Sequence, residues 1–172
     1  MEKIYSSFFS RDALEIAPQI LGMQIVRQFE DKSRTILTIT EVEVYKGKND
    51  LGCHASKGRT PRTEIMFHKG GKIYVYLIYG IHWLLNITTG AEDDPQAILI
   101  RGSREIKGPG RIGKALALDK SFYDEDIGLS NRLWLQWNRD KKRSYNLKRA
   151  PRIGIDYAGE YWSKIPWRFI AT

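Results

Sequence analysis

The chain has 172 residues, 42% of them hydrophobic, a length that suits one domain and buries roughly 70% of the unfolded surface without covalent staples. No apolar run approaches the ~18 residues of a membrane helix, and the single cysteine, Cys53, rules out an internal disulfide and points to a reducing compartment, the cytoplasm. Twenty-eight Lys and Arg against 20 Asp and Glu give a formal charge of +8 and a pI of about 9.6, a field that attracts polyanions such as DNA without naming one.

The opening Met1-Glu2-Lys3-Ile4-Tyr5 lacks the charged and apolar regions of a secretory leader. No repeat, low-complexity tract or Ser/Gly linker divides the chain, so one domain over 1–172 is expected. Ser10 is placed to cap a short helix over 11–16, reset at Pro18 and stopped at Gly22. Strands are expected over 23–29 and 35–45, joined as a hairpin by Glu30-Asp31-Lys32-Ser33. Residues 46–67 hold many turn formers and little periodicity, which reads as a long ordered loop, usually a functional one in a compact domain.

Gly70-Gly71 introduces a strand over 73–79, and Gly80 turns the chain into another over 83–88. Glu92-Asp93-Asp94-Pro95 forms a turn before a third strand, 97–101. Gly108-Pro109-Gly110 opens a helix with Ile112, Ala115 and Leu116 on one face, the proline sitting where it costs least. Residues 120–150 are polar and basic, with Trp134 and Trp137 as expected core anchors, and 153–155 and 167–170 read as closing strands. The predicted class is α+β: a mainly antiparallel, curved sheet flanked by short helices.

Strict alternation along the long strand sets Ile36, Thr38, Thr40, Val42 and Val44 on one face and Leu37, Ile39, Glu41, Glu43 and Tyr45 on the other. Two carboxylates there either pair with surface Lys and Arg or line a cleft where one of them activates water. His54 in the following loop and the aromatic strand Tyr74-Val75-Tyr76-Leu77-Ile78-Tyr79 favour the cleft, since aromatic faces stack on bases and attract cationic ones. Cys53, His54, His68 and His82 lack zinc-site spacing. No phosphate-binding loop with its Lys-Ser/Thr is present either, so neither a metal nor a nucleotide cofactor is expected.

Several segments together resemble the alkyladenine (3-methyladenine) DNA glycosylase family. They are Glu41-Val42-Glu43-Val44-Tyr45, His54, Arg59-Thr60-Pro61-Arg62, Met66-Phe67, Tyr74 through Gly80, Asn86, Ile98-Leu99-Ile100-Arg101, Gly108-Pro109-Gly110, Pro151 through Glu160 and Trp167-Arg168-Phe169. They follow in order along nearly the whole chain. The resemblance implies a monofunctional glycosylase, a compact bacterial-type monomer. It would flip a damaged purine (3-methyladenine, 7-methylguanine or hypoxanthine) out of double-stranded DNA at the nucleoid and hydrolyse its N-glycosidic bond.

The family's general base then matches Glu43, with Arg101 beside it holding the water and the target phosphate. Tyr45, His54 and Tyr76 match the walls around the flipped base, Asn86 the residue that rejects the amine of guanine, and Tyr79 the wedge entering the minor groove. Two other functions stay open on the residues alone: a binding module that stacks on nucleic acid without catalysis, and a hydrolase of free nucleosides. The glycosylase reading requires a residue-43 carboxyl that is neither sealed in the interior nor turned away from Tyr45 and Tyr76.

Overall fold

A computed structural model of the chain describes residues 2–138 and 145–172. In chain order its elements are α1 (Ala13–Ile20), β1 (Gln24–Gln28), β2 (Arg34–Lys46), β3 (Ile73–Ile78), β4 (His82–Thr89), β5 (Gln96–Ser103), α2 (Pro109–Ala115), β6 (Leu133–Gln136), β7 (Leu147–Ala150), α3 (Gly159–Lys164) and β8 (Arg168–Ala171). The main path of the sheet is β3-β4-β5-β2-β1-β6, with β8 pairing the later part of β2 and β7 pairing β8. Every strand pairing among the described residues is antiparallel. This is the expected α+β class, a curled antiparallel sheet with short helices.

β2 organises the sheet because its thirteen residues serve different neighbours. Arg34–Thr38 pair with β1, whereas Ile39–Lys46 pair with β5. At the changeover the register slips twice: Thr40 is extra on β2 and Arg101 is extra on β5. A bulge of this kind bends a strand and resets which face its side chains meet. Leu37 and Ile39 therefore share the main core with Val42 and Val44, and the strict alternation expected over 35–45 fails at Thr40. Beyond the bulge Glu41, Glu43 and Tyr45 look away from that core, as a group of their own.

The main core lies on one face of the sheet, where Val42, Val44, Ile73, Val75, Leu85, Ile87, Ile98 and Ile100 meet Ile16 and Ile20 of α1 and Ile112 of α2. A smaller cluster covers the other face: Cys53, Ala55, Ile65, Met66 and Phe67 from the 46–67 loop pack on Tyr74 and Ala97. Two 3-10 turns, His54–Lys57 and Glu64–Phe67, give that loop its order. The expected long ordered loop is thus the second wall of the molecule.

Three local expectations need correction. The cap of α1 is Asp12, whose carboxylate accepts from Leu14 N–H at 2.8 Å, and the helix runs past Pro18. Burial of Ile16, Ala17 and Ile20 outweighs the lost hydrogen bond, and Tyr145 Oη donates to the Pro18 carbonyl at 3.1 Å. Of the two tryptophans expected as core anchors, Trp134 is a core residue at 6% exposure but Trp137 is 47% exposed, and the polar and basic stretch around them contains β6. Part of that stretch, 139–144, lies outside the described residues.

The third correction matters most for function. Residues 153–155 form an irregular loop, not a strand, because Gly154 takes a positive φ of 79°. Among the described residues no helix is long and apolar enough to cross a membrane.

Candidate active site

Antiparallel register places residues in rows across a sheet, each row facing one way. Tyr74 on β3 lies opposite Asn86 on β4, Asn86 opposite Leu99 on β5, Leu99 opposite Glu43 on β2, and Glu43 opposite Arg168 on β8. The neighbouring row brings Thr88, Ala97 and Tyr45 together. Between these rows and the 46–67 loop lies a cavity of about 550 Å³, within the range of small-molecule sites. Six of the seven residues singled out from the sequence line it: Tyr45, His54, Tyr76, Tyr79, Asn86 and Arg101.

Glu43 does not line it. Its side chain has no exposure at all, so the expectation of a carboxylate lining a cleft is corrected, and of the two conditions set on it from the sequence the first fails: the carboxyl is sealed beneath the cavity surface. It is nevertheless turned toward the site. Tyr45 Oη donates to Oε2 at 2.8 Å, the Ile153 backbone N–H donates to Oε1 at 2.8 Å, and Arg101 Nε stands 3.5 Å from Oε1. Those three residues all line the cavity. Burial pushes the Glu43 carboxyl above the usual carboxylate range, while Arg101, the Ile153 amide and the Tyr45 hydroxyl pull it back. Glu41 adds repulsion in the same direction as burial.

The aromatic residues divide unevenly. His54 and Tyr76 touch edge to face, with centroids 4.7 Å apart. A base stacked between two rings needs roughly twice the 3.5–4 Å carbon contact distance, so these two rings stand too close together to sandwich a base between them. His54 Nδ1 lies 2.8 Å from Tyr74 Oη. Burial, then Arg62 and Lys57, push its pKa down from 6.5 to about 4, so the ring is neutral near pH 7. Asn86 is buried and donates through Nδ2 to the Tyr74 carbonyl at 3.2 Å. Burial raises the Tyr45 and Tyr76 hydroxyls and takes Tyr74 to about 12.

Tyr79 stands at the rim, 88% exposed at the tip of the β3–β4 hairpin. Its φ of 51° and the 68° of Gly80 are the paired positive angles of a primed hairpin turn, closed by Ile81 N–H to the Ile78 carbonyl at 3.1 Å. A tyrosine at positive φ is strained, and an exposed strained aromatic beside a cavity points to a use outside the fold. Leu77 and Ile81 leave the same hairpin exposed on apolar surface.

Sequence reasoning missed four contributors. Arg62 lines the cavity with its guanidinium 5.0 Å from the Tyr76 ring. Tyr157, 70% exposed, reaches across the mouth to donate to the Gly52 carbonyl at 3.3 Å. The Ile153 amide was hidden by the strand expected there. Arg152 and Asp50 form a fully buried pair, with Nη1–Oδ2 at 2.6 Å and Nη2–Oδ1 at 2.8 Å. Arg152 also lies against the Tyr45 and Trp167 rings, so this pair backs the wall that Tyr45 provides. A neighbouring proline and a polar loop gave no signal for it. Among the described residues no three His, Cys, Asp or Glu side chains are grouped to share a metal ion.

The comparisons with known proteins agree with one another. A family profile described as Methylpurine-DNA glycosylase matches residues 7–107 and 103–172. The chain is 38% identical to a protein of Natranaerobius thermophilus over 97% of its own length and 94% of the relative's. It is 39% identical to one of Myxococcus xanthus, over 98% and 89%, and 37% identical to one of Methanocella arvoryzae, over 94% and 88%. All three carry the name "Putative 3-methyladenine DNA glycosylase". The chain belongs to the methylpurine-DNA glycosylase family and is a hydrolase acting on N-glycosyl bonds.

Proposed function

We propose that this enzyme removes damaged purines from double-stranded DNA as a monomer at the bacterial nucleoid. The lesion is flipped into the cavity, and the bond between base and sugar is hydrolysed to leave an abasic site. 3-Methyladenine is the first expected substrate, by kinship with the relatives' names; 7-methylguanine and hypoxanthine complete the range. One observation carries the reading: a buried carboxylate held by three cavity-lining residues, under an aromatic pocket at the root of a hairpin with an exposed tyrosine.

Flipping costs a few kcal/mol, least for a damaged base, and Tyr79 offsets it by filling the gap in the stack. The extruded base stacks between Tyr45 on one side and the joined His54–Tyr76 wall on the other. Asn86, pinned by its bond to the Tyr74 carbonyl, blocks the exocyclic amine of guanine.

Glu43 is the general base, and its burial has a chemical purpose. A carboxylate raised by burial binds a proton more strongly than one in water, which suits taking a proton from an attacking water. Its charge also stabilises positive charge growing on the sugar as the bond to the base breaks. Oε2 is occupied by the Tyr45 hydroxyl. Substrate entry exchanges that O–H for the O–H of the attacking water, and Arg101 holds the partner oxygen and the target phosphate.

The test is base release from dimethyl-sulfate-treated DNA and from a hypoxanthine duplex, followed by alkali cleavage of abasic sites. The wild type should release free base, and Glu43→Gln should lose roughly 10²–10⁴-fold in rate while still binding the lesion. An unchanged rate in Glu43→Gln would overturn the assignment, and strand cleavage without alkali would point to a lysine Schiff base.

A further inference from the structure

Among the described residues Arg101 is the one cation within ion-pair distance of Glu43, yet its Nε is divided: 3.5 Å from Glu43 Oε1 and 3.4 Å from Glu41 Oε1. Neither contact is a close pair. Glu41 in turn accepts from Arg168 Nη1 at 2.9 Å, and Arg168 Nε donates to the Pro151 carbonyl at 2.8 Å. Pro151 opens the loop whose Ile153 amide holds Glu43. The arrangement depends on the bulge, which brings Glu41 opposite Gly102, where an added Cβ would stand 3.0 Å from Glu41 Cβ and 3.2 Å from its Oε2.

We propose that Glu41 and Arg168 are positioning residues that divide the Arg101 guanidinium between two carboxylates, and so fix the charge and placement of Glu43. This rests on Glu43 acting as the general base. The groups facing Glu43 are Glu41 and Tyr45 on β2, Arg101 on β5, Tyr76 on β3, Arg168 opposite it on β8 and the Ile153 amide. Removing the Glu41 charge leaves Arg101 to Glu43 alone, which favours the ionised form. Removing the Arg168 charge leaves Glu41 to compete harder for Arg101, which disfavours it. The two changes act with opposite sign on the pH at which Glu43 loses its proton, whereas damage to the structure would lower activity in both without opposing shifts.

The experiment measures single-turnover release of methylated bases from dimethyl-sulfate-treated DNA across pH. These bases leave without first needing a proton, so the acid limb reports the base residue. Glu41→Gln should move that limb down by roughly one pH unit and Arg168→Gln should move it up by about as much. Glu41→Asp and Arg168→Lys, which keep the charges, should stay near the wild-type limb. In the two charge-removing variants the plateau rate should fall several-fold, by about 1 kcal/mol, with half-saturating DNA concentration little changed.

Limbs that stay put, or move the same way in both, overturn the proposal while leaving Glu43 in its role. Excision surviving in Glu43→Gln overturns the underlying reading instead. Should Glu41→Gln fail to fold, the Arg168→Gln and Arg168→Lys pair decides alone, an upward shift in the first and none in the second being the supporting result.

Discussion

Two arginine–carboxylate groups meet at Tyr45, one against its ring and the other at its hydroxyl, and they are built in opposite ways. Arg152 and Asp50 are both fully buried and meet through two short hydrogen bonds, and Nη1 and Nη2 also donate to the Val44 and Trp162 carbonyls while Nε is left without a partner among the described residues. Arg101 keeps 17% of its side chain exposed and reaches two carboxylates only at 3.4 and 3.5 Å. A matched bidentate pair fixes geometry; a shared, loosely held cation leaves Glu43 free to change partners. The first group holds the loop that walls the cavity, and the second sits where the proposed mechanism needs a carboxylate that exchanges a tyrosine hydroxyl for water.

The contrast is broken most strongly at the first group. Asp50→Ala leaves a buried guanidinium without its counter-charge and should cost about 3–5 kcal/mol, read as a lowered denaturant midpoint. Arg101→Gln should cost far less stability yet reduce excision by roughly 10²-fold, as expected for a charge aimed at the reacting centre. If the two variants destabilise equally, the division between a structural and a functional pair fails.

A smaller effect is expected at the rim. Tyr79→Ala removes a ring that packs on nothing inside the fold and should leave the melting temperature unchanged, while lowering lesion binding by about 1–3 kcal/mol, the worth of one aromatic stack. Tyr79→Gly relieves the positive φ and should melt no lower than Tyr79→Ala.

The finest discrimination comes from pH. His54 is pushed down from 6.5 to about 4, so the stability it contributes is complete above pH 6.5 and lost as pH falls toward 4. Glu43 is raised, so its sign is reversed: its contribution is complete below the ordinary carboxylate range and lost as pH rises through its raised value. His54→Asn should therefore flatten the acid side of the stability curve. Glu43→Gln should be more stable than the wild type at neutral pH and gain nothing at pH 4. Such a gain in an inactive variant would mark Glu43 as a group held for function at a cost in stability.

What the sequence determined by itself follows from local rules. Turn chemistry and β-branched runs located β1 to β5 within a few residues, Gly108-Pro109 located α2, and the order of motifs carried the family and six of the residues around the cavity. Tertiary structure decided the rest, because each remaining feature depends on groups distant in sequence. The bulge at Thr40 and Arg101 exists only when β2 and β5 pair, and it moves Leu37 and Ile39 to the side of β2 opposite the carboxylates. The Ile153 amide reaches Glu43 across 110 positions, and Arg152 reaches Asp50 across 102. A sequence records which side chains are available at each position; burial, which makes Glu43 a sealed carboxyl with shared partners, arises only when distant strands and loops close over it.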